Sequence, residues 1–324
     1  MPALRYDPEF LRLLEAARPA KREPFKDVYE LRATNDAHMA EAMGRLRGPP
    51  NVVEDVFTIK SYDDVEIEIT RYTPSDTTGS DKALPAILYI HGGGTVFGSV
   101  KIWGPQTAAV AANTGYPIFA VEYRLAPEHP APCAVEDCYA ALTYLSEHAA
   151  RYRVDPARII VMGDSAGAGI AAGLTLMARD RALNPPVAKQ VLIYPMLDDA
   201  TELPEDSPKN QLVTWSSWNN KLAWGAYVGE DKRGKPDADV SPYAAPARAK
   251  SLRGLPATYM DVGTLDLFCN EDIAYAARLA QDDVEIEFHL WPGLPHGFEG
   301  FSELSWTKAA NDLRMKALKR VAEI

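Results

Sequence analysis

Residues 158–169 read RIIVMGDSAGAG: an apolar, largely β-branched run (Ile159, Ile160, Val161, Met162) stops at Gly163-Asp164-Ser165-Ala166-Gly167 and passes directly into a small-residue helical pattern. Strand, sharp turn carrying serine between glycines, then helix is the context of a G-x-S-x-G nucleophile elbow, which exposes the hydroxyl at the top of a sheet. Glycine suits 163 and 167 because a larger residue would clash where the backbone doubles back. The pentapeptide equally fits a serine-capped helix after a buried strand, since Asp and Ser are common N-cap residues. The surrounding chain has to choose between these.

Outward from this stretch the chain alternates. Strand patterns fall at 86 to 91, 117 to 123, 158 to 163, 190 to 195, 257 to 262 and 285 to 291, with helical patterns at about 104 to 114, 134 to 150, 166 to 182, 269 to 281 and 303 to 322. Short apolar strands separated by helices imply a mostly parallel sheet covered on both faces, an α/β fold. Before them, 52 to 60 and 65 to 73 read as an antiparallel pair turned at Asp63-Asp64, followed by a polar loop, PSDTTGSDK. The helix after Ser165 is rich in Ala and Gly, with Ile170, Leu174 and Met177 as its apolar stripe, so it can lie close to the sheet. Residues 7 to 47 hold two helical patterns separated by Pro19 and Pro24, which cover either a sheet face or a site opening. A long insertion after Pro195, acidic and then aromatic (Trp215, Trp218, Trp224), lies where parallel sheets assemble their sites. Its tryptophans either form its own core or touch a substrate.

The chain has 324 residues, 47% apolar composition and a net charge of −11, enough for one full core. The acidic balance excludes a phosphate-binding basic face and so argues against nucleic acid and anionic membranes. Cys133, Cys138 and Cys269 are too few for a disulfide framework and form no metal motif. With no signal-like h-region at the N-terminus and no apolar run of spanning length, a cytoplasmic location is expected.

A serine hydroxyl needs a base, and the base an orienting partner. Of six histidines, His289 lies on a strand face with Glu285 and Glu287, His148 ends a helix, His38 sits among the N-terminal helices, His129 in a proline-rich loop, and His91 before three glycines. His296, in WPGLPHGF on the loop after the last strand, is the remaining candidate, with a turn histidine as its plain alternative. For the acid, Asp266 follows a strand in a loop, whereas Asp261 lies inside the strand run and is the fallback. Ser165, Asp266, His296 follow the order nucleophile, acid, base of one known triad arrangement. His91-Gly92-Gly93-Gly94 follows the strand AILYI, where backbone N–H groups can turn toward a developing oxyanion. Gly92 and Gly93 are the expected donors, with the Ala166 N–H as the third.

These motifs together resemble the hormone-sensitive-lipase-like branch of α/β-hydrolase carboxylesterases. The resemblance is carried by HGGG at 91 to 94, EYRLAPEHP at 122 to 130, GDSAG at 163 to 167, LIYP at 192 to 195, LDLF with Asn270-Glu271 around Asp266, and PHGF at 295 to 298. It implies an α/β-hydrolase fold, a mostly parallel eight-stranded sheet with only the second strand antiparallel. It also implies cap helices over residues 1 to 50, a catalytic domain over 51 to 324, and a cap insertion at about 198 to 240. The family's nucleophile, acid and base fall on Ser165, Asp266 and His296, and its oxyanion donors on Gly92, Gly93 and Ala166. Tyr194 and Trp215 are expected at the substrate, and Asp164 is expected to hold the elbow. Where the family often has Arg-Asp after the acid, this chain has Cys269-Asn270. The implied activity is hydrolysis of short- to medium-chain esters with neither metal nor organic cofactor, and a homodimer through the last strand, about 284 to 291. Lactone hydrolysis or deacetylation with the same triad, and a non-catalytic small-molecule receptor on this fold, are the alternatives.

Overall fold

In a computed structural model that describes residues 4–17, 23–75 and 83–323, eight strands form one sheet in the order β1-β2-β4-β3-β5-β6-β7-β8. Pro19 and most of the PSDTTGSDK loop lie outside the described residues. The pair β1 (Val52–Lys60) and β2 (Glu66–Pro74) is antiparallel, turned at Asp64 with a left-handed φ of 63°. Ile67 and Ile69 of β2 are buried while Glu66 and Glu68 face solvent, the alternation of a sheet wet on one side.

β2 is also antiparallel to β4 (Ile118–Val121). β3 (Leu84–Ile90), β4, β5 (Val154–Asp164), β6 (Lys189–Ile193), β7 (Ala257–Gly263) and β8 (Ile286–Trp291) then pair in parallel. β2 alone therefore runs against the rest, as the resemblance implies. The central strands are apolar on both faces because helices cover both. On one side α4 (Cys133–Glu147) and α5 (Ala166–Asp180) contribute to the larger core, with Leu142, Val161, Ile170, Leu174 and Met260. On the other, α3 (Val100–Thr114) and α8 (Ser305–Lys319) pack with Ile87, Ile118, Ile160 and Val191.

Two boundaries differ most from expectation. α3 begins at Val100, four residues early, because the Ser99 hydroxyl caps Ile102 N and Pro105 is carried inside the helix. β5 begins at Val154, since Asp155-Pro156 interrupts its apolar pattern without interrupting the strand. α7 (Cys269–Gln281) follows β7 over the expected span.

The N-terminal helices lie against the loops at the sheet's C-terminal edge, which resolves what they cover. α1 (Pro8–Ala17) buries Phe10 with Trp291, Leu294, Phe298 and Leu304, and the Asp7 N–H donates to Gly293 O at 2.9 Å. α2 (Val28–Gly44), capped by Asp27, places Arg32 so that its Nε donates to Val96 O, and Asp36 so that it accepts from Gly98 N at 2.8 Å. Between β6 and β7 the insertion carries α6 (Ser217–Val228).

Candidate active site

The elbow between β5 and α5 is tight because nothing fits inside it. A Cβ on Gly163 would stand 2.4 Å from the Gly167 carbonyl, and one on Gly167 would stand 2.1 Å from Ile90 O. At its apex Ser165 has φ 56°, ψ −122°, a costly conformation for a residue with a side chain. It is held by bonds on both sides: Ser165 N donates to Ile193 O at 2.8 Å, and Met196 N donates to Ser165 O at 3.0 Å.

The hydroxyl presented there meets His296, on the loop after β8, with Nε2 2.9 Å from Ser165 Oγ. The other ring nitrogen, Nδ1, is 2.7 Å from Oδ2 of Asp266, on the loop after β7. An ionised carboxylate only accepts, so Nδ1 carries the proton and Nε2 is free to accept from the serine. Asp266 is buried, and its Oδ1 accepts from Phe268 N at 2.9 Å. Burial by itself would lower the proton affinity of His296, but the facing Asp266 carboxylate, with Glu299 and Asp164 adding to it, outweighs burial, and the imidazole pKa lies above its usual 6.5. Tyr194 (4.5 Å, 63°) and Phe268 (5.2 Å, 89°) meet the imidazole edge-on and fix its plane.

The fallback acid, Asp261, serves elsewhere: it accepts from Arg314 and from the Tyr259 hydroxyl inside the sheet. Three of the other histidines are likewise occupied, and His38 and His129 are exposed. His289 lies 3.0 Å from Glu287, and His148 stacks on Tyr144. His91 is buried with Nδ1 on Gly92 O, stacked on Tyr123, and burial drives its pKa down to about 4. It is therefore a neutral prop beneath the glycine loop.

That loop, after β3, runs along the elbow. Gly92 N donates to Asp164 Oδ2 at 3.2 Å, while Asp164 Oδ1 accepts from the Tyr89 hydroxyl at 2.5 Å. Asp164 thus clamps β3 and the glycine loop to the elbow, and burial raises its pKa to about 6. Gly93 has φ 130°, and a Cβ there would lie 1.9 Å from Phe97 O, so the turn requires glycine. No hydrogen bond among the described residues uses the N–H of Gly93 or Ala166.

The insertion closes over this edge. Trp215 is buried, with its ring against Gly94 and 6.2 Å from Phe97, and Nε1 donating to Asn220. Trp224 is insertion core beside Tyr227, whereas Trp218 is 40% exposed and donates from Nε1 to Phe25 O. Two residues that no local pattern marks grip the catalytic loops. The Thr214 hydroxyl donates to His296 O at 2.6 Å, and Lys209 Nζ donates to Asp266 O at 3.2 Å. Glu271 anchors the insertion's base, accepting from Leu197 N, Asp198 N and the Thr201 hydroxyl. Cys269, at the departure from the family pattern, is buried and packs.

A serine activated by a carboxylate-oriented imidazole, beside unused backbone N–H groups, can perform acyl transfer. The described residues contain no group of three or more His, Cys, Asp or Glu side chains arranged to hold a metal ion, and no helix among them is long and apolar enough to cross a membrane.

A family model described as alpha/beta hydrolase fold matches residues 87–300. Esterase LipI of Mycobacterium tuberculosis is 35% identical over 67% of this chain and 67% of its own. Carboxylesterase NlhH of the same organism is 31% identical over 89% and 90%. A solved structure described as a bacterial heroin esterase superposes with a TM-score of 0.86 at 37% identity, covering 98% of both chains.

Proposed function

This chain belongs to the hormone-sensitive-lipase-like branch of the α/β-hydrolases and is a carboxylesterase. On that premise we propose that it hydrolyses short- to medium-chain esters through a Ser165 acyl-enzyme. Ser165 Oγ attacks the ester carbonyl as His296 Nε2 takes its proton, and Asp266 holds the ring and stabilises the imidazolium that forms. The imidazolium then protonates the leaving alcohol, and the neutral ring activates water to cleave the acyl-enzyme. The observation that carries this reading is the unbroken chain from Ser165 Oγ through His296 to Asp266, at 2.9 and 2.7 Å.

The oxyanion forms in front of Gly93 and Ala166, whose N–H groups are unused. Gly92 is the weakest of the three expected donors, because its N–H already contacts Asp164. Residues 1 to 50 and the insertion at about 198 to 240 act as the cap over the catalytic domain, 51 to 324. Trp215, packed over Gly94, limits the acyl chain, and Tyr194 lines the site beside the base. Two copies associate through β8, the sheet's outer strand. Cys133, Cys138 and Cys269 are free and buried, which supports a reducing, cytoplasmic setting.

The test is the Ser165→Ala variant against p-nitrophenyl esters of graded chain length. A fall in kcat on the order of 10³-fold or more is expected, together with a wild-type burst of p-nitrophenol and a preference for the shorter chains. Near-full activity in folded Ser165→Ala overturns the mechanism, and a preference for long chains overturns the substrate class.

A further inference from the structure

Behind the imidazole lies a buried cluster of charge that the steps above leave unused. Arg314 of α8, 4% exposed at its side chain, donates from Nε and Nη2 to the two carboxylate oxygens of Asp261, at 2.7 Å each. The same Nη2 stands 2.5 Å from Oε1 of Glu299, three residues beyond His296 in the turn Phe298–Gly300. The guanidinium also lies 5.9 Å from the centre of the Tyr194 ring, the ring that meets the imidazole edge-on.

One cation thus serves two carboxylates. Asp261 satisfies the guanidinium with a two-pronged pair, whereas neither oxygen of Glu299 makes a well-directed hydrogen bond. Glu299 is held at one nitrogen only, and its charge acts as well on what else it faces. Those groups are His296 on its own loop, Tyr194 after β6, Asp164 at the elbow and Asp261 on β7. On its other side His296 faces Asp266, whose backbone carbonyl holds Lys209. A negative charge near an imidazole favours the imidazolium, the form the ring takes once it accepts the serine proton.

We propose that Glu299 is a positioning residue for this reaction: clamped by Arg314 behind His296, it supplies the imidazole with a second negative charge beside that of Asp266. It thereby sets the pH at which the base becomes available. Burial pushes the Glu299 carboxyl above the usual carboxylate range, and the neighbouring Arg314 guanidinium limits that rise, which gives the shared cation its purpose. The sign follows directly. Glu299 stabilises the protonated ring, so with it in place activity is lost at a higher pH on acidification, and removing its charge moves that loss to lower pH.

The proposal rests on His296 being the base, and its test is kept separate from that reading by observing the ring itself. In protein carrying ¹³C-labelled histidine, with His296 assigned by its loss in His296→Gln, the ring carbon is titrated by NMR in wild type, Glu299→Gln and Glu299→Asp. Glu299→Gln is expected to lower the His296 midpoint by about half a pH unit or more, with the acid limb of kcat/KM moving equally. Glu299→Asp, which keeps the charge, is expected to restore most of the difference. An unchanged midpoint in Glu299→Gln overturns the proposal. Should that variant not fold, ¹³C titration of the Glu299 carboxyl in wild type decides: a carboxyl midpoint above that of His296, which leaves Glu299 neutral where the ring titrates, also overturns it. A ring that shifts as expected without a matching move in the rate profile would instead count against His296 as the base.

Discussion

At the level of single residues, the site depends on a backbone held where a side chain is unwelcome. Ser165 adopts its left-handed φ only because Ile193 O and Met196 N fix the peptides around it, and the reward is a hydroxyl aimed at His296 Nε2. Ala166 stands next to it with a different proposed duty, the donation of its unused N–H. Proline is tolerated at the first helical position, where the amide has no helical partner, but it also restricts the backbone of the residue before it, so Ala166→Pro removes the donor and loads the elbow at Ser165. Its kcat is expected to fall about 10²- to 10³-fold, the scale of losing one oxyanion donor. Steady-state kinetics beside an unchanged circular dichroism spectrum checks this, and a folded variant of near-normal kcat would remove Ala166 from the site.

Among the elements, α1 lies far from the serine yet bears on it. Phe10 shares one apolar cluster with Leu294 and Phe298, the residues flanking the His296 loop, and Tyr6 donates to Leu212 O in the insertion. Phe10→Ala should cost about 3 kcal/mol or more in that cluster and release the loop. A lowered melting temperature together with a reduced kcat is expected, and a lower melting temperature with unchanged kcat would separate α1 from the loop. The sequence displays some of this arrangement and hides the rest for physical reasons. Strand, elbow and helix are contiguous, so their periodicity and glycines are visible in a dozen residues. Glycines after β3 and an acid after β7 are visible because loops at strand ends carry chemistry. Arg314, Glu299, Thr214 and Lys209 are not. Each acts on a residue supplied by another element or on a backbone carbonyl, and neither periodicity nor motif spacing records such a pairing. The purpose of residues 7 to 47 was open for the same reason: an amphipathic helix shows that it covers something without showing what.

For the whole molecule, pairing leaves the two outer strands of the sheet, β1 and β8, each open along one side. β8 is its last strand, and Leu290 on it is 42% exposed. An uncovered edge invites a second copy, and a charge placed there discourages one. Leu290→Asp is therefore expected to convert a dimer to a monomer with intact activity, as read by light scattering after gel filtration. A wild-type protein that is monomeric at micromolar concentration would dismiss the β8 interface. The clasp of α1 on the His296 loop has a further consequence, for the order in which the parts come together during synthesis. Asp7 donates to Gly293 O, and Phe10 packs on Leu294, so α1 finds its partner only after all the residues between them have been made. Until then Phe10 has nothing to pack against, and α1 is too short to be stable alone. The central strands can pair before the two meet, and the edge that carries His296 is completed after them.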